Sequence, residues 1–253
     1  MKIAGSIALV TGANRGLGLA FAKAFVEMGA AKVYAAACNP EAVTLDGVVP
    51  LKLDVTSDQD VAAAVRAAGD GNLLVNNAGI ARPGGFLADR AVEAAREQLE
   101  VNFVGPLRMT RAFAPVLAKN GGGAIINVLS VASWMNGPGL ATYGASKSAA
   151  WALTNGLRLE LARQGTQVVA LHAGFIDTDL SRDIDAPKTS PEEIVRTTLE
   201  ALEHGDREVL ADEITRQVHR GLSADLPAYF QSTAALRSHA AQPPDRADHD
   251  FPK

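Results

Sequence analysis

The sequence predicts an α/β domain, a doubly wound parallel sheet of about seven strands with helices on both faces. Three observations carry that prediction. Short apolar, β-branched runs alternate with Ala-rich segments along most of the chain. Most of those runs are apolar at successive positions, as strands covered on both faces are. The first run leads directly into a glycine-bearing turn, Thr11–Gly18 (TGANRGLG), and then into a helical stretch.

Taken in order, Ser6–Thr11 (SIALVT) reads as the first strand and Leu17–Met28 as the first helix. Lys32–Ala36 (KVYAA) and Val48–Lys52 (VVPLK) are the second and third strands, followed by a helix over Asp58–Ala68. Asn72–Asn76 (NLLVN) is the fourth strand; Ala91–Lys119 follows as a long helix with prolines in it. Ala124–Val128 (AIINV) precedes a helix over Thr142–Arg163, and Gln167–His172 (QVVALH) precedes one over Pro191–Glu203. Arg207–Ala211 (REVLA) completes the set. Strand alternating with helix implies parallel pairing through right-handed crossovers. Without a repeat or linker, residues 1–232 are expected to form one domain. From Gln231 the chain turns polar and proline-bearing, so residues 233–253 are expected to form a mobile tail.

At 253 residues and 26.4 kDa the chain is long enough for one substantial core. A net charge of −4 argues against a general affinity for nucleic acid or anionic membranes. A single cysteine, Cys38, cannot form an internal disulfide. The N-terminal apolar run breaks into glycines too early for a signal peptide or a membrane span, so a cytoplasmic protein is expected.

Gly12, Gly16 and Gly18 allow a tight turn and close approach of a ligand, while the following helix offers free N–H groups to a phosphate. The plain alternative is a strand–helix turn with no ligand, and the spacing is not G-x-G-x-x-G. Asp54 in LDVT falls just past the third strand, where its carboxylate could accept from an adenine amino group. Asn76–Gly79 (NNAG) falls past the fourth. Taken singly, these are equally a helix cap and a turn. Ser130 stands at the end of the fifth strand in NVLSVAS, and YGASK begins thirteen residues later. Tyr143 and Lys147, four apart, share one helix face. A fixed ammonium and a cationic nicotinamide ring both lower a phenol pKa toward the range useful for exchanging a proton with an alcohol or carbonyl oxygen. A bare Tyr/Lys pair at this spacing is also an ordinary solvated helix face.

Together, TGANRGLG, LDVT, NNAG, Asn102 in EQLEVNF, Ser130 and YGASK resemble the short-chain dehydrogenase/reductase family, in its order and near its spacings, from about Ile3 to Leu180. The resemblance implies a Rossmann fold with strand order 3-2-1-4-5-6-7 and an NAD(P)-dependent interconversion of a secondary alcohol and its ketone. It implies Tyr143 as general acid/base, Ser130 as the group that positions the reacting oxygen, and Lys147 as the residue that lowers the phenol pKa and holds the nicotinamide ribose. Asn102 would support a water in the proton path. The implied cofactor contacts are Gly12, Asn14, Arg15, Gly16, Leu17, Gly18, Cys38, Asp54, Val55, Asn76, Ala78, Gly79, Tyr143, Lys147, Gly174, Ile176 and Thr178; no metal is implied. A non-catalytic dinucleotide sensor is the alternative, but such proteins typically lose the tyrosine or lysine. Halohydrin dehalogenases are similar in fold, but usually carry arginine in place of Lys147 and a halide pocket in place of TGANRGLG.

The chain also departs from its relatives. HAGFIDTDL has Ala173 where the family usually has proline, although Gly174 and Thr178 remain. The segment before Pro191 is short, which suggests an open pocket. A C-terminal Asp-Gly-Gly used in tetramer packing is replaced by REVLADEITRQVHRGL, so a homo-oligomer is expected as a dimer over the two long helices or, less readily, a tetramer. Neither Ala37 nor Cys38 supplies the acid that selects NAD, and Arg15 offers a partner for a 2′-phosphate, which favours NADP(H) narrowly and leaves NAD(H) possible. Cys38 is expected to fill a small cofactor-facing corner. Trp134, Met135, Leu140 and Phe175 are candidates to line an apolar substrate pocket, and His172 reads as a packed or hydrogen-bonded strand-end residue.

Overall fold

The computed structural model describes residues 1–223 apart from Pro138. The expected domain boundary at 232 and the expected tail at 233–253 lie outside the described residues. Seven strands form one all-parallel sheet in the order β3-β2-β1-β4-β5-β6-β7. They are β1 (Ile7–Thr11), β2 (Lys32–Ala37), β3 (Val49–Lys52), β4 (Leu73–Asn76), β5 (Gly123–Val128), β6 (Thr166–His172) and β7 (Glu208–Leu210). The helices are α1 (Gly16–Glu27), α2 (Asp58–Ala67), α3 (Ala91–Leu99), α4 (Gly105–Lys119), α5 (Ala141–Glu160), α6 (Pro191–His204) and α7 (Glu213–Gly221).

Strand alternation divides the core into two layers. Ala8, Val10, Val33, Ala35, Leu73, Val75, Val169 and Leu171 face α1 and α6, where Phe21, Phe25, Ile194 and Leu202 meet them. The intervening Leu9, Tyr34, Leu74, Ile125 and Val168 face Met109, Phe113 and Leu117 of α4 and Leu157 of α5. Each fully buried side chain of this size contributes ~1.5–3 kcal/mol, which fixes the sheet between its helix layers. The order reverses between β1 and β4, and this switch point opens a crevice at the strands' carboxyl ends.

The expected long helix is present over Ala91–Lys119, but it contains a π turn at Glu100–Val104. Gly105 N–H donates to Glu100 five residues back, and Pro106 has no N–H to offer the Asn102 carbonyl. The widened turn holds Asn102. Helix α7 was not legible as an element; Asp212 caps it by accepting from Thr215 N–H at 2.9 Å.

Candidate active site

The site is built along the switch-point crevice. Gly12 (φ +65°) and Gly16 (φ +54°) adopt the left-handed conformation that lets the chain leave β1 and enter α1 directly. A Cβ on Gly18 would overlap the Gly12 carbonyl oxygen, so the loop closes on its own helix only with glycine there. Helix α1 has no acidic residue in its first turn, leaving its N-terminal N–H groups and dipole free to face an anion. This cradle fits a dinucleotide pyrophosphate. Asn14 is half-buried, whereas Leu17 is buried in the core.

The loop is locked by two residues that motif reading did not single out. Thr11 Oγ1 accepts from Asn77 N–H at 3.0 Å and Ala78 N–H at 2.9 Å while donating to the Val75 carbonyl. Asn77 Nδ2 donates to the Thr11 and Gly12 carbonyls at 2.9 and 3.2 Å. Asn76, expected at the cofactor, instead turns its buried side chain inward, donating to Asn127 Oδ1 at 2.8 Å and to Thr110. The chain reverses its facing at the end of β4, so it is Asn77 that meets the glycine loop.

At the far end of the crevice, Cys38 is exposed just beyond β2. Partial desolvation first, then the charges of Asp54 and Asp60, hold its thiol above the ordinary value, so it is no activated nucleophile. Asp54 accepts from Thr56 N–H and Oγ1 at 2.9 and 2.7 Å, a local turn that fixes its carboxylate. Val55 packs its side chain on Gly105 and its carbonyl accepts from Arg108 Nη1 at 2.8 Å, leaving only its N–H for a ligand. Arg15 reaches across to Asp179 at 3.0 Å, and Arg182 pairs with the same carboxylate. The hydrogen bonds from Arg15 and then Arg182 hold Asp179 below the usual carboxylate range.

At the near end, the β5–β6 ladder continues past the named strands. Leu129 N–H donates to Leu171 and Val131 N–H to Ala173, carrying Ser130 between them at the mouth of the sheet. Ser130 Oγ accepts from Ala132 N–H at 3.1 Å and makes only a long 3.5 Å approach to the Ala173 carbonyl. Gly144 of YGASK admits the segment after Ser130, because a Cβ there would overlap Asn136 Oδ1. That close approach brings Tyr143 to Ser130. Burial pushes the Tyr143 phenol above its ordinary value, and the hydrogen bond with Ser130 works in the opposite direction. Lys147 lies under the tyrosine, its Nζ 5.8 Å from the ring centroid and donating to the Val128 carbonyl at 2.8 Å. Burial lowers its pKa to about 8. Asn102 Oδ1 accepts from Ile80 N–H, and its Nδ2 donates to the Ile80 carbonyl and to Ser146 Oγ, each at 2.9 Å. Ser146 Oγ in turn donates to the Tyr143 carbonyl at 2.7 Å. Gly79 sits between these groups: a Cβ on it would meet Asn102 Oδ1 at 3.2 Å and Lys147 Nζ at 3.6 Å.

The segment after β6 folds back over the glycine loop. Thr178 packs on Gly16, and the residues on either side of Ile176 pair with Thr189. Gly174 N–H donates to Asp212 Oδ2 at 2.6 Å, a carboxylate that sequence reading missed. Met135 and Leu140 are half-buried and Phe175 is 37% exposed. Trp134 stacks on His172 with ring centroids 3.8 Å apart and meets Trp151 edge-on, so its ring is engaged by an aromatic cluster rather than left free to line a pocket. His172 is fully buried.

Residues 6–189 match the family model described as short chain dehydrogenase. Among curated proteins, the chain is 37% identical to the short chain dehydrogenase tazN of Aspergillus terreus over 199 residues, covering 71% of this chain and 43% of that one. It is 32% identical to the 3-oxoacyl-[acyl-carrier-protein] reductase FabG of Vibrio cholerae over 194 residues, covering 73% and 79%. Among solved structures, a short chain dehydrogenase from Burkholderia cenocepacia in complex with NADP is 42% identical, with a TM-score of 0.86, covering 96% of this chain and 100% of that one.

Proposed function

Because the chain belongs to the short-chain dehydrogenase/reductase family, we propose that this oxidoreductase interconverts a secondary alcohol and its ketone at Ser130, Tyr143 and Lys147. The observation that carries the reading is the half-buried Tyr143, its phenol hydrogen-bonded to Ser130 and the Lys147 Nζ 5.8 Å over its ring, beside the glycine cradle. A nicotinamide dinucleotide, when bound, supplies or accepts the hydride. Its pyrophosphate would be held by the Gly12–Gly18 loop and the α1 N-terminus, its ribose by Lys147 and its carboxamide end by Thr178.

The protein's part is placement and proton movement. Ser130, with its lone pair engaged by Ala132 N–H, donates to the substrate oxygen and fixes it beside Tyr143. The phenol, kept protonated by burial, gives its proton to that oxygen in reduction and takes it back in oxidation. Lys147 supplies the positive charge that favours the phenolate, and Asn102 holds the Ile80 segment so that water can reach the lysine.

NADP(H) is the favoured cofactor. The reading is supported by Arg15 at the loop and by the NADP complex of the Burkholderia cenocepacia protein; NAD(H) remains the alternative. The substrate is a small molecule. Exposed Leu107 and Leu159 support a homodimer over α4 and α5. Among the described residues no helix is long and apolar enough to cross a membrane; a cytoplasmic location is part of the proposal. The test is a fluorescence titration with NADPH and NADH, followed by turnover on a panel of ketones and alcohols. Tyr143→Phe is expected to bind cofactor normally and to lose at least ~100-fold in kcat. Cofactor binding without turnover of any compound by the native chain would favour the non-catalytic sensor instead.

A further inference from the structure

The buried imidazole of His172, at the end of β6, is bonded to the backbone of Ser130. Its Nδ1 lies 3.2 Å from the Ser130 carbonyl oxygen, which also accepts from Ser133 N–H at 2.9 Å. Its Nε2 lies 2.9 Å from Glu208 Oε1 on the edge strand β7. The other oxygen of Glu208 pairs with Arg158 at 2.8 Å, and Arg158 belongs to α5, the helix that carries Tyr143 and Lys147. Burial pushes Glu208 up, but the hydrogen bonds from His172 and Arg158 outweigh it and hold the carboxyl below its ordinary value. Trp134, four residues after Ser130, covers one face of the imidazole, and His219 of α7 lies 5.2 Å beyond that indole.

This network is more than a buried histidine needs for satisfaction. A neutral ring is satisfied by one donor and one acceptor partner, yet both nitrogens here face acceptor oxygens. The contacts tie the ends of β5 and β6, the edge strand β7 and the catalytic helix to a single peptide group. That group is the Ser130–Val131 peptide, whose plane sets where the Ser130 Cα–Cβ bond points. Apart from the bond with the Tyr143 phenol, the hydroxyl is held by Ala132 N–H and a long approach to the Ala173 carbonyl at 3.5 Å, so its direction depends on the backbone beneath it.

We propose that His172 is a positioning residue: clamped by Glu208 and Trp134, it fixes the Ser130 carbonyl and thereby aims the Ser130 hydroxyl at the substrate oxygen. Glu208 acts through His172, and Arg158 acts through Glu208. The proposal rests on the reading of Ser130 as the group that holds the reacting oxygen. It locates part of the site's preorganisation in a layer that touches neither cofactor nor substrate.

Two substitutions separate positioning from filling. In His172→Asn, the amide nitrogen takes the place of Nδ1 and still donates to the Ser130 carbonyl, but does not reach Glu208. In His172→Gln, the amide reaches toward Glu208 and offers no donor at the Nδ1 position. Both are measured for NADPH binding and for kcat and KM on a ketone that the native chain reduces. His172→Gln is expected to lose ~10-fold or more in kcat with the NADPH dissociation constant unchanged; His172→Asn is expected to stay within about threefold of native. Equal loss in both variants, or native turnover in His172→Gln, would overturn the proposal. If both fail to bind NADPH, Glu208→Ala on the edge strand decides: lowered kcat with native NADPH binding supports the clamp, and native kcat refutes it. Should the native chain reduce no ketone, the function reading fails separately. Crystal structures of native and His172→Gln then decide the positioning, an unmoved Ser130 peptide and hydroxyl overturning it.

Discussion

Lys147 carries a cost to the fold that substitution should reveal. Burial lowers its pKa from 10.5 to about 8. Between those values the unfolded chain holds a proton that the folded chain has released, so raising the pH through this window favours the folded state. Below pH 8 both states hold the proton and the full penalty is present, about 3 kcal/mol. Lys147→Met removes that penalty but leaves the Val128 carbonyl without its 2.8 Å bond, a loss of ~1 kcal/mol. The variant is therefore expected to be ~1–2 kcal/mol more stable than native at pH 7, a rise of roughly 2–8 °C in Tm. The advantage should shrink by about 2 kcal/mol at about pH 9.5, where most of the native penalty has gone. Chemical denaturation of both chains at the two pH values is the assay. Cys38 and Tyr34 titrate in both proteins and cancel in the difference, while Tyr143, held above its ordinary value by burial, stays mostly protonated in the folded state at both pH values. Turnover should fall at least ~100-fold in the variant. A variant less stable than native at pH 7, or a stability difference that does not change with pH, would refute the reasoning.

Gly18→Ala places a methyl group against the Gly12 carbonyl oxygen and Asn77 Nδ2. It is expected to cost ~1–3 kcal/mol and to weaken NADPH binding at least tenfold, as read by thermal unfolding and fluorescence titration. Asp179→Asn releases Arg15 from its carboxylate partner; NADPH is expected to bind a few-fold more tightly with NADH unchanged, and equal effects on both would mean that Arg15 does not meet the 2′-phosphate. Phe175→Ala is expected to raise the ketone KM with cofactor affinity unaltered; unchanged ketone kinetics would remove Phe175 from the pocket.

Sequence alone carried the sheet a long way because its signal is local. Residues such as Val10 and Leu9 are apolar in succession because opposite faces of one strand enter separate cores, and that pattern is written in adjacent positions. The strand order followed from the family resemblance rather than from the pattern itself. Tyr143 and Lys147 were legible for the same local reason, a spacing of four on one helix. The π turn at Asn102 was not read, although its signal, a proline four residues later, stands in the sequence.

What only the tertiary structure decided lies in contacts between distant positions. Asn77 rather than Asn76 meets the glycine loop, because the chain changes its facing where β4 ends. Asp179 holds Arg15 across a separation of 164 residues, a carboxylate partner that no local pattern announced. Trp134 is drawn onto His172 instead of being left to a pocket. Asp212 and Glu208 carried no motif at all; each gains its role by reaching a strand end some 38 or 36 residues earlier. Local periodicity determines which elements form and which way their faces turn. Which polar groups meet at the strand ends is set by how the crossovers stack the helices, and that information exists only once the sheet has closed.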